Sequence, residues 1–79
     1  MYALCLITVK AGKVDSVLEI LKKKRKTVKQ VMVVTGRADI SVILQGNIEQ
    51  ITQMVIDFKK INDIVTTETL TEVEVDLGW

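Results

Sequence analysis

The sequence predicts an α+β domain whose strands and helices follow the order β-α-β-β-α-β. Three observations predict it. Residues 2–9 and 39–45 are rich in β-formers and apolar on both faces, as strands buried in the middle of a sheet are. Two other stretches carry apolar residues at i, i+3, i+4 and i+7, the spacing of an amphipathic helix. Residues 31–44, VMVVTGRADISVIL, join two apolar β-rich runs through a short polar turn, Thr35-Gly36-Arg37-Ala38-Asp39, and read as a hairpin. With right-handed crossovers this order gives the ferredoxin-like fold: a four-stranded antiparallel sheet, order 4-1-3-2, with two helices on one face. The two strands that are apolar on both sides are the two that this topology places in the centre.

The first strand spans residues 2–9. Tyr2, Leu4 and Leu6 point one way, and Ala3, Cys5, Ile7 and Val9 the other. Residues 10–13 turn, and residues 14–26 form a helix with Val14, Val17, Leu18 and Leu21 along one stripe. Five cations, Lys22 to Lys26, close it, where they suit the negative end of the helix dipole. The second strand, 28–35, starts with Lys29 and Gln30, which suits an exposed edge. The third strand, 39–45, ends at Gly46. Asn47 caps the second helix and Gln50 completes a capping box, before the stripe Ile51, Met54, Val55 and Phe58 that ends near Lys59 and Lys60. The last strand, 66–77, sets Thr67, Thr69, Thr71, Val73 and Val75 on one face. Glu68, Leu70, Glu72, Glu74 and Asp76 lie on the other, so it is an edge strand.

Composition narrows the function classes. A chain of 79 residues predicts one domain, 1–79, with apolar residues at 48% and almost no aromatics, so Val, Ile and Leu must build the core. The lone Cys5 excludes an internal disulfide framework and reads as a small buried hydrophobe. The apolar runs are too short to span a membrane, and no secretory signal is visible, which predicts the cytoplasm. The chain has no histidine, no metal-ligand spacing, no nucleophile beside a base and no phosphate-cradling glycine loop. It therefore reads as no enzyme, with no cofactor and no metal.

Two helices cover one face of the sheet, yet strands one and three are apolar on both. The same sheet from a second copy is the simplest cover, which predicts a homodimer packed sheet to sheet. Charge is uneven although the net is +1: residues 10–37 hold nine of the eleven cations and two acids, and residues 39–76 hold eight of the ten acids. The basic 22–29 segment suits nucleic-acid phosphates, which makes a nucleic-acid-binding or purely structural interaction protein the alternative function. It lacks interleaved aromatics and any recognition motif, so direct DNA binding is not expected. It also suits a salt-sensitive contact between the basic second strand of one dimer and the acidic last strand of the next.

The run Val33-Val34-Thr35-Gly36-Arg37-Ala38-Asp39 resembles the V-T-G-x-x-D signature of the effector domain, or RAM domain, of the leucine-responsive/AsnC family of transcriptional regulators. Residues 61–70, INDIVTTETL, look like that family's I-x-x-V-x-x-T-x-T entry into the last strand. The resemblance covers essentially the whole chain. It implies a domain that binds small effectors, typically amino acids, and assembles through sheet-packed dimers into rings, octamers or decamers among them. It places the effector at the contact between dimers, near Gly36 and Asp39 of the hairpin and Thr67 and Thr69 of the last strand. Family members usually carry a helix-turn-helix first; this chain starts at the first strand, which predicts a stand-alone form acting with a full-length regulator. The position before the aspartate, often aromatic or polar, is Ala38, which opens space at the turn.

The candidate ligand-binding residues are thus Gly36, Arg37, Asp39, Thr67 and Thr69. A free amino acid offers an ammonium for Asp39 and a carboxylate for Arg37 or for the backbone N–H groups near Gly36, and threonine hydroxyls serve either. On the residues alone, Gly36 reads equally as a turn glycine, Asp39 as a carboxylate bonding its own turn, Arg37 as a solvated charge and the threonines as ordinary strand residues.

Overall fold

The computed structural model describes residues 1–73 and 75. The elements are β1 (Tyr2–Val9), α1 (Val14–Leu21), β2 (Val28–Val33), β3 (Ile40–Gln45), α2 (Ile48–Lys59) and β4 (Ile64–Thr71). The strands form one antiparallel sheet in the order β2-β3-β1-β4, the expected 4-1-3-2 read from the other edge. β1 and β3 are central because their alternate residues bury one continuous apolar surface. Cys5, Ile7, Ile40, Val42 and Leu44 are wholly buried on it. Val17 and Leu21 of α1 and Ile51 and Phe58 of α2 pack onto that same surface, so both helices lie on one face.

Three boundaries differ from the expected ones. α1 stops at Leu21 rather than Lys26. Beyond Leu21 come five consecutive cations with no apolar residue to bury, and Lys22 and Lys26 repel at i, i+4. The chain tightens into i→i−3 bonds there, with Lys24 N–H donating to the Leu21 carbonyl at 3.0 Å. β2 ends at Val33 rather than Thr35, because the turn opens earlier. β4 runs over Ile64–Thr71 instead of 66–77. It begins where Val9 pairs with Ile64, and its last ladder partner is Ala3, near the start of β1. One further bond, Glu72 N–H to the Tyr2 carbonyl, extends the pairing. β4 ends as β1 begins, because a strand needs a neighbour to pair with. Of the expected last strand, residues 74, 76 and 77 lie outside the described residues.

α2 starts as its sequence dictates. The Asn47 side chain accepts from Gln50 N–H, and the Gln50 side chain accepts from Asn47 N–H, both at 2.8 Å. A Cβ at Gly46 would stand 2.6 Å from Gln50 Oε1, so a side chain there would shift the carboxamide that closes the capping box.

Among the described residues, nothing covers the other sheet face. Paired residues share a face, so Tyr2, Leu4 and Leu6 of β1 stand beside Ile43 of β3 and Leu70 of β4. Met32 of β2 joins them through its partner Ser41. Met32 remains 48% and Leu70 53% exposed, while Leu4, Leu6 and Ile43 are half-buried.

Candidate functional site

The β2–β3 hairpin turns through residues 34–39. Gly36 has φ +114°, a backbone that side-chain-bearing residues adopt only under strain, which explains a glycine in this turn. Asp39 fastens the turn to the sheet. Its N–H donates to the Ile7 carbonyl, and its own carbonyl accepts from Val34 N–H, both at 2.9 Å. Its Oδ2 accepts from Val9 N–H at 2.9 Å. The β1–β3 ladder ends at the pair Ile7–Ile40, so the carboxylate supplies the acceptor that a longer β3 would have given Val9. Oδ1 has no hydrogen-bond partner among the described residues.

Arg37 reaches across β1 to β4. Its Nη2 donates to Glu68 Oε1 at 2.9 Å and Oε2 at 3.2 Å. Both side chains are largely in water, 77% and 49% exposed. Glu68 pairs with Leu6 and so belongs to the uncovered face.

Thr67 and Thr69 pair with Ile7 and Cys5 and face the helices instead. The Thr69 hydroxyl donates to Cys5 Sγ at 3.6 Å. Burial pushes the Cys5 thiol above its ordinary pKa, and this hydrogen bond offsets part of the rise. Thr67 lines an open pocket of about 300 Å³ with Lys59, Ile64, Val65 and Thr66. Within one chain, then, Gly36, Arg37 and Asp39 gather at one end of the sheet, with Glu68 added. The two threonines lie on the opposite face of β4 from Glu68. Glu68 and Val9 are the partners that sequence reasoning missed. The signal for Glu68 was its place on the acidic face of the last strand, but only the β1–β4 register brings it to Arg37.

Among the described residues, no three or more His, Cys, Asp or Glu side chains are grouped to hold a metal ion. No helix there is long and apolar enough to cross a membrane.

The fold has counterparts among solved structures. The chain superposes on FFRP-DM1 with a TM-score of 0.83 at 27% identity, covering 91% of this chain and 97% of that one. It superposes on the hypothetical protein PHS023 from Pyrococcus horikoshii with a TM-score of 0.79 at 28% identity, covering 92% and 90%. On AsnC of E. coli the TM-score is 0.77 over 94% of this chain and 51% of that one; at 20% identity that likeness shows a shared fold. No family model and no curated protein matches the chain. The class that fold and neighbours define is architectural: a ferredoxin-like α+β domain with a four-stranded antiparallel sheet and two helices. More narrowly, they are consistent with a RAM-like domain of the leucine-responsive/AsnC family.

Proposed function

We propose that this chain is an effector-binding and oligomerisation module rather than an enzyme. It binds an amino acid or a related small metabolite in the cytoplasm. It modulates transcription by co-assembling with a full-length regulator of the leucine-responsive/AsnC type. The observation that carries this reading is the uncovered sheet face. Leu4, Leu6, Ile43, Leu70 and Met32 form an apolar surface opposite the helices, which a second copy covers sheet to sheet. Such dimers then assemble into rings. The candidate site supports the effector part. Arg37 and Asp39 offer opposite charges at the hairpin, and Thr67 and Thr69 face away from Glu68, so a ligand touching all four spans more than one copy.

Two measurements test it. Light scattering after gel filtration should give a dimer or larger at micromolar concentration, with Leu6→Asp shifting it to monomer; a monomeric parent chain overturns the sheet pairing. A thermal-shift screen against amino acids at millimolar concentration should find one chemical class that stabilises. At about 100 times Kd the gain is roughly 2.7 kcal/mol, or more than 10 °C for so small a domain. A flat screen overturns the amino-acid effector.

A further inference from the structure

We propose that the cleft between the end of α1 and the free edge of β2 docks residues 73–77 of a second copy of this chain. The cleft encloses about 470 Å³. Leu21, Val28 and Val31 make an apolar floor, and Lys22, Arg25 and Lys29 a cationic rim. β2 is an edge strand, so half of its backbone N–H and C=O groups point outward without a neighbouring strand. Lys29 is the extra residue of a bulge, lying between the pairs Val28–Leu44 and Gln30–Ile43. The rim is short of counter-charge. Among the described residues Lys22 alone of the six cations at 22–26 and 29 has an acid within reach, Glu19 at 3.7 Å.

The occupant is argued from complementarity. In residues 73–77, VEVDL, Val73, Val75 and Leu77 alternate with Glu74 and Asp76. An extended segment with that period turns its apolar residues to one side and its carboxylates to the other. Laid along the β2 edge, it sets valines on the floor and acids among the cations, while main-chain bonds continue the sheet. Glu72 is not available, since its carboxylate accepts from Tyr2 N–H at 2.9 Å. Val73 and Val75 after it are 78% and 64% exposed. β4 and β2 are opposite edges of the sheet, about 14 Å apart at three strand spacings. A neighbouring copy delivers the segment without crossing that width. The contact is head-to-tail and so propagates, unlike the two-fold pairing of sheet faces. It deepens the assembly half of the proposed function and stands apart from its effector half.

Charge reversal on full-length chains tests it. Lys22→Glu/Lys29→Glu should weaken association beyond the sheet-paired unit by about tenfold per reversed charge. Glu74→Lys/Asp76→Lys should do the same. Mixed one to one, the two variants should co-assemble, because each cleft then meets a segment of opposite sign. Trp79, the chain's one tryptophan, reports the event by a blue shift of its emission when the segment docks. Equal assembly by parent and variants, a parent with no larger species, or two variants that fail to rescue one another overturns the proposal. So does loss of binding to a short DNA duplex in Lys22→Glu/Lys29→Glu with assembly unchanged, which makes the cleft a phosphate site. Leu6 lies outside the cleft, so a failure of the face pairing, read from the parent's own dimer, is distinguishable from a failure here.

Discussion

Asp39→Ala removes the acceptor of the Val9 N–H. In the folded chain that N–H, on the buried Val9, donates to Oδ2 at 2.9 Å. Alanine keeps the two backbone bonds of residue 39, to Ile7 and Val34, and orphans the Val9 donor alone. A lost bond to a charged acceptor costs about 1.5–3 kcal/mol when the donor stays dry, and about 1 kcal/mol when water replaces the acceptor. The exposed turn beside Asp39 admits water, so the expected loss is about 1–2 kcal/mol, a fall in Tm of roughly 5–15 °C for this chain length. Asp39→Asn keeps an oxygen acceptor and should recover most of it. Scanning calorimetry on parent and both variants reads this directly. A Tm for Asp39→Ala within about 1 °C of the parent, or equal losses in alanine and asparagine variants, refutes the reasoning. Asp39→Asn is then the cleaner probe of ligand response, because it removes the charge and spares the fold.

Arg37→Ala should cost less than about 1 kcal/mol, since the Glu68 pair is exposed on both sides; a urea titration showing more gives the pair a structural role. Glu68→Gln should strengthen binding of any amino acid found in the screen, because it frees the guanidinium, and an unchanged Kd by calorimetry counts against Arg37 as its anchor. Cys5 has its thiol pushed up by burial, so its contribution to stability is complete below the ordinary pKa of 9.0 and fades as pH rises through the higher folded value. Melting curves from pH 7 to alkaline pH should show that slope in the parent and not in Cys5→Ala. Alkylation of the native thiol as fast as that of the unfolded chain would contradict the burial.

The fold was legible because its two central strands announce themselves: residues 2–9 and 39–45 are apolar on both faces, a pattern that suits the middle of a sheet rather than its edge. The capping box of α2 was legible for a local reason, since Asn47 and Gln50 are three residues apart and need no partner elsewhere. The end of α1 was not. Cations suit the last turn of a helix, whereas a helix also needs something to bury, and after Leu21 there is nothing until Thr27 and Val28. The end of β4 was not legible either, because a strand stops where its partner stops and the partner is seventy residues away. The same limit governs the site. Thr35 to Asp39 stood out as a charged turn, and Gly36 as its hinge. The bonds from Arg37 to Glu68 and from Val9 to Asp39 depend on register between distant strands, and no local pattern encodes that.

Those two bonds divide the hairpin energetically. Both charges that drew notice in the sequence are already engaged in the folded chain, so a ligand at this turn adds to their partners or displaces them. Displacing Glu68 from Arg37 breaks an exposed ion pair worth about 0–1 kcal/mol, and the guanidinium has further N–H donors to offer. Displacing Val9 from Asp39 orphans a backbone donor at the end of β1, at about twice that cost. Asp39 is therefore the fixed half of the turn and keeps its second oxygen for an incoming donor, while Arg37 is the half that yields. On the proposed reading, an effector's ammonium meets a preset acceptor and its carboxylate competes with Glu68. On the same reading a second copy covers the sheet face that carries Glu68, so exchange at Arg37, by freeing Glu68 there, would link ligand to assembly.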